Sequence, residues 1–161
     1  MPTPNPSRQP DPAVPRWSWI AAVGLVAASP GATWFWAGRL SEPELNPAVA
    51  DYAWRPWRSL VAHEFLVGAV STGVALAAAL ALIVMRRRVG GWAMAPVLAT
   101  TLALAVLGAW AGLGYRVITA AVVGANIGAG LVILATPALV VVELVAVVVW
   151  RSRRRQRQRV G

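Results

Sequence analysis

Four long runs of apolar residues, at about 17–36, 60–85, 92–113 and 118–150, are separated by short polar segments. A helix of about 20 residues rises roughly 30 Å, the thickness of a bilayer's hydrocarbon core. Tryptophan sits at the ends of these runs. Trp17 and Trp19 open the first and Trp34 and Trp36 close it; Trp92 and Trp110 bracket the third; Trp150 ends the last. Indole is flat, apolar and carries one N–H, so it settles at the boundary between lipid tails and water. The pattern predicts an all-α fold, an antiparallel bundle of four transmembrane helices.

The polar segments predict how the spans connect. Residues 1–16 hold six prolines and no apolar periodicity, the mark of a disordered tail. The run that follows exceeds the roughly 7–15 residues of a signal-peptide core, so it reads as an uncleaved first span. Pro30-Gly31 is placed to kink or fray that span's far end. Arg39–Ser59 is the one substantial loop. Asn46-Pro47 reads there as a helix cap and first helical residue, so that 48–55 forms a short interfacial helix ended by Pro56, with Tyr52, Trp54 and Trp57 dipping into the interface. Arg86-Arg87-Arg88 stops the second span before a turn at 89–91, and Gly114-Tyr115-Arg116 makes a second tight turn. Such short turns predict that the second, third and fourth spans are sequential antiparallel neighbours. The fourth run is too long: its 33 residues would reach about 50 Å as one helix. Either it tilts and projects, or it breaks at Asn126–Gly130 or at Pro137, where a re-entrant hairpin would move the tail to the opposite side.

Charge fixes the expected orientation. The net charge is +9, and all 15 basic residues are arginine, which fits a GC-rich genome. Four spans put the N-terminal tail, the Arg86–Arg88 turn and the 151–161 tail on one side, with 11 arginines against four on the other. The positive-inside rule makes the 11-arginine side cytoplasmic, so a multi-pass protein of the plasma membrane with both termini inside is expected. Arg86, Arg87, Arg88, Arg151, Arg153, Arg154 and Arg155 are expected to contact anionic lipid headgroups. No aromatic residues interleave the tail arginines, so nucleic acid is not an expected partner.

Composition narrows the chemistry. Charged residues make up 13% of the chain, where a soluble domain carries about a quarter. There is no cysteine and a single histidine, His63, which excludes disulfides, thiolate catalysis and multi-histidine metal sites within one chain. No phosphate-binding glycine loop, HExxH, GxSxG or intramembrane carboxylate pair is present, so neither autonomous catalysis nor a cofactor is expected.

A few residues require explanation. Glu143 lies among valine, leucine and alanine, where an acid costs about 2.5–3.5 kcal/mol at the bilayer centre. It either reaches toward the headgroups and Arg86–Arg88, or handles a cation or contacts another subunit. Glu64, beside His63, shares a depth with Arg116, and an ion pair between them would close the bundle's outer end. Asn126 suits an interhelical hydrogen bond, while Ser71 and Thr72 can bond to their own helix. Gly108-xxx-Gly112 and Gly124-xxx-Gly128 allow close backbone approach, and their similar depth predicts that they face each other in the hairpin of the third and fourth spans.

Ala28-Ser29-Pro30, the loop with Asp51, and Gly90-Gly91-Trp92 after the arginine turn give residues 17–115 a resemblance. The chain resembles small actinobacterial four-helix membrane proteins grouped as a domain of unknown function. The resemblance implies an actinobacterial plasma membrane and carries over no functional residue. Three function classes compete: a structural or accessory subunit of a cell-envelope complex, contacting another membrane protein or itself; a holin-like pore-former or small transporter; and a membrane enzyme using Glu42, Glu44 or Asp51 beside His63. The shortage of polar groups and the abundance of small ones favour the first.

Overall fold

Helices that are apolar on every side have no preferred face, so their packing is decided by where small residues let backbones meet. The computed structural model describes residues 14–38, 53–55, 57–89, 91–120 and 125–160. These form α1 (Arg16–Trp36), α2 (Arg58–Ala62), α3 (Glu64–Val89), α4 (Gly91–Ile118) and α5 (Ala125–Val160), with no strand among the described residues. All but α2 are long and apolar enough to cross a membrane. The fold is therefore all-α with four candidate spans, as the hydropathy pattern predicts, and the architecture is that of a multi-pass membrane protein.

The central element is α1. It lies between α3 and α4, which touch each other only sparsely, and among the described residues α5 packs on α4 alone. As expected, α4 and α5 are packed neighbours, but α3 meets α4 only sparsely, because each of them packs on α1 through glycine contacts. On one side Gly31 meets Ser71 of α3, and Gly68 of α3 meets the Phe35 ring. On the other side, side-chain carbon added to Gly108 or Gly112 of α4 would collide with Ser29 or with the Pro30 carbonyl. Gly108-xxx-Gly112 thus serves the α1–α4 contact, not the α4–α5 hairpin. Gly124 lies outside the described residues, and Gly128 meets Val117.

Pro30 does not break α1, which continues to Trp36. Proline cannot donate to the carbonyl four residues back, and the Ser29 hydroxyl donates to that carbonyl, Val26 O, at 2.9 Å. The helix ends at Gly38, whose φ of 68° is the left-handed conformation that glycine adopts without strain. At the opposite end of the bundle, Ala21, Leu82 and Met94 form a buried cluster. The Ser18 hydroxyl beside it points at the sulfurs of Met85 (3.3 Å) and Met94 (3.5 Å).

Several boundaries differ from expectation. Arg86–Arg88 form the last turn of α3 rather than stopping it, since arginine is a good helix former and cations suit a helix C-terminus. Gly114-Tyr115-Arg116 is helical, not a turn, because α4 runs on to Ile118 and the Arg116 charge finds a partner. The last span starts at Ala125, not 118, and passes through Pro137 without a break as one helix of 36 residues, about 54 Å. A re-entrant hairpin at Pro137 is therefore excluded, and the tail backbone continues the helix to Val160. Of the expected interfacial helix, 48–52 lies outside the described residues and Ala53–Arg55 is not helical; the short helix is α2 instead. The expected N-terminal tail, 1–13, and the loop acids Glu42, Glu44 and Asp51 also lie outside the described residues.

Candidate functional site

Polar and aromatic side chains converge at the end of the bundle where α1 and α4 finish and α3 begins. Arg116, on the last turn of α4, has only 8% of its surface exposed. Its guanidinium forms an ion pair with Glu64 in the first turn of α3 and lies 4.7 Å from the ring centroid of Trp34 on α1. Trp34 is itself 4% exposed. Three helices are thus joined through one cation, which trades water for a carboxylate and an aromatic face. One donor is left over: Arg116 Nε is buried with no hydrogen-bond partner among the described residues.

The chain before α2 is clasped to this end by its backbone. The Trp54 N–H donates to Ile118 O at 3.1 Å, and the Trp57 N–H donates to the Tyr115 hydroxyl at 3.3 Å. Beneath them lies a cavity of about 350 Å³ bounded by Pro30, Gly31, Trp34, Trp57, Leu60, Val67, Ala111, Gly112 and Tyr115. A second cavity, between Trp54, Trp57, Tyr115, Ile118 and Thr119, adjoins it. At His63 (φ −111°, ψ 22°) the helix breaks, so α2 meets α3 at an angle. His63 is exposed, and its Nδ1–H donates to Ser59 O at 2.9 Å, within its own segment.

The structure thus brings Glu64 and Arg116 together as their shared depth predicts, and leaves His63 outside the pair. Asn126 is exposed in the first turn of α5 and forms no interhelical hydrogen bond among the described residues. That role falls to two threonines. Trp110 Nε1 donates to Thr136 at 3.0 Å, joining α4 to α5, and Trp36 Nε1 donates to Thr72 at 3.0 Å, joining α1 to α3. A tryptophan one span away at equal depth was the available signal, but the indoles read as boundary markers instead.

Glu143 lies on a seam of half-buried positions on α5 (128, 132, 136, 139, 143, 147 and 150) that follows the contact with α4. It has no ion-pair or hydrogen-bond partner among the described residues, and α5 makes no contact with α3, so Arg86–Arg88 do not reach it. Those three arginines are exposed. The side chains of Arg151, Arg153, Arg154 and Arg155 lie outside the described residues, although their backbone belongs to α5.

The class defined by these features is a four-span helical membrane protein with an ionic and aromatic closure at one end. Comparison with protein families, curated proteins and solved structures gives no match to this chain.

Proposed function

We propose that this protein is a structural or accessory subunit that engages another membrane protein through α5, in an actinobacterial-type cell envelope. Glu143 carries the reading. It is a carboxyl group about 10 Å along the helix from Trp150, half-buried and unpaired among the described residues. Burial of such a group in hydrocarbon costs about 2.5–3.5 kcal/mol, a cost that a partner's cation or donor would offset. Among the described residues the helix bearing it touches α4 alone, and its most apolar stretch has no buried residue. Close packing of α1 on α3 and α4 through glycine counts against a pore within one chain. In this reading both termini face the cytoplasm, supported by the 11 arginines on that side, and those arginines meet anionic lipid.

The test is a pull-down of the tagged full-length protein from native membranes in mild detergent, with wild type beside Glu143→Gln. Wild type should bring down a defined membrane partner, and the variant, equally well inserted, should lose it. A wild-type protein that runs alone, or a variant that keeps its partner, overturns the proposal.

A further inference from the structure

The end of the bundle opposite Arg116 is basic, with no acid among the described residues to balance it. Val14 and Val89 both pack against the buried cluster of Ala21, Leu82 and Met94. The start of α1 and the end of α3 therefore lie at one level, as the contact between Ser18 and Met85 also requires. Arg16 on α1 and Arg86, Arg87 and Arg88 on α3 stand at this level, and all four are exposed. None of their side chains has an ion-pair or hydrogen-bond partner among the described residues. The acids described elsewhere are Glu64, at the far end, and Glu143, on a helix that packs on α4 alone.

Such a group of cations calls for a counter-ion. The dipole of α3 favours arginine in its last turn, but Arg16 is the first residue of α1, the positive end of that helix. No acid lies in that first turn. Depth narrows the counter-ion to a lipid headgroup. Trp17 and Trp19 follow Arg16 on α1 and are 70% and 55% exposed. Indoles so exposed at the end of a span mark the headgroup boundary. The guanidinium fork suits phosphate oxygens, which it can bind in pairs. A phosphodiester carries one negative charge, so a lipid with one phosphate balances one arginine of the four. A lipid with two joined phosphodiesters balances two. Once its first phosphate is bound, the second is held nearby at high effective concentration, which two separate lipids do not achieve.

We propose that Arg16 and Arg86–Arg88 form a site for one phospholipid with two phosphodiesters in the cytoplasmic leaflet, held from α1 and α3 at once. The site rests on the reading that the arginine-rich side meets anionic lipid, and gives that contact a defined place and stoichiometry. The test is native mass spectrometry of the full-length protein in detergent. Tetraoleoyl cardiolipin, dioleoyl phosphatidylglycerol and dioleoyl phosphatidylcholine compete for it. Wild type should retain one cardiolipin per chain in preference to the other two. An arginine near anionic lipid contributes a factor of roughly five, so Arg16→Gln with Arg87→Gln should weaken retention about 25-fold. Arg153→Gln with Arg154→Gln removes the same charge from α5 and should change retention by less than about twofold, because it lies outside the site. Equal weakening by both pairs would leave a diffuse attraction to anionic lipid and overturn the site. Phosphatidylglycerol retained as well as cardiolipin would overturn the two-phosphate ligand. Displacement of the lipid by inorganic pyrophosphate would make the ligand a soluble phosphate and overturn the lipid. A wild type that prefers neither anionic lipid over phosphatidylcholine would overturn both the site and the wider reading of the arginines.

Discussion

Replacing Glu64 by glutamine keeps the shape of the closure and removes one charge. Arg116 would then stand 8% exposed over Trp34 with no counter-ion among the described residues, where its Nε already lacks an acceptor. Removing one member of a buried pair costs about 3–5 kcal/mol. The pair sits at the end of the bundle, where headgroups are near, so the lower figure is expected. Two unit charges about 4 Å apart attract by about 4 kcal/mol at an effective dielectric constant of 20, which agrees with that figure. Arg116→Met takes the Arg116 cation away from the Glu64 carboxylate, 14% exposed at its side chain. It also removes the cation–π contact, worth about 0.5–2 kcal/mol. The double variant strands neither charge and should be more stable than either single one, with a coupling of about 2 kcal/mol. Unfolding in mixed micelles by increasing detergent fraction, followed by tryptophan fluorescence, supplies the four free energies of the cycle. Additivity within about 0.5 kcal/mol, or a Glu64→Gln protein as stable as wild type, would refute the argument that these groups are coupled and buried.

Two further outcomes follow from the packing and the topology. Gly112→Ala should destabilise the bundle by about 1–3 kcal/mol in the same assay, because the added carbon meets the Pro30 carbonyl, whereas Gly73→Ala, into open space, should be neutral or slightly stabilising. The chain has no cysteine, so single cysteines at Ser7 and Ser152 should escape a membrane-impermeant thiol reagent on intact cells and react after permeabilisation; labelling from outside would reverse the orientation.

Much of this architecture was legible in the sequence because the bilayer imposes it. Span number follows from length and hydropathy, and Glu64 with Arg116 from equal depth at the ends of adjacent spans. What could not be read was which helix touches which. Valine and leucine surround each span, so no polar face shows where a neighbour lies, and a glycine pair such as Gly108 and Gly112 announces a close approach without naming the partner. Helix ends were misjudged for a related reason. Gly114 and Arg116 resemble a turn by the rules of soluble chains, yet α4 crosses that boundary because its arginine is paired and its backbone bonds are kept. The site was half visible. The charges stood out against an apolar background, while the cavity beneath Trp57 depends on how residues of α1, α2, α3 and α4 meet, which no single-span pattern encodes.

The central position of α1 constrains how the molecule is built. The helix made first among the spans is the one enclosed by two that are made later, and its second wall, α4, follows only after α3 has crossed in the opposite direction. Until then Ser29 and the Val26 carbonyl, which meet Gly108 in the finished bundle, face lipid or the insertion machinery. Final packing thus waits for a contact about 80 residues away in sequence, between Trp34 and Arg116. Truncations ending before α4 would leave a nascent protein with its docking surfaces open, a natural substrate for membrane quality control.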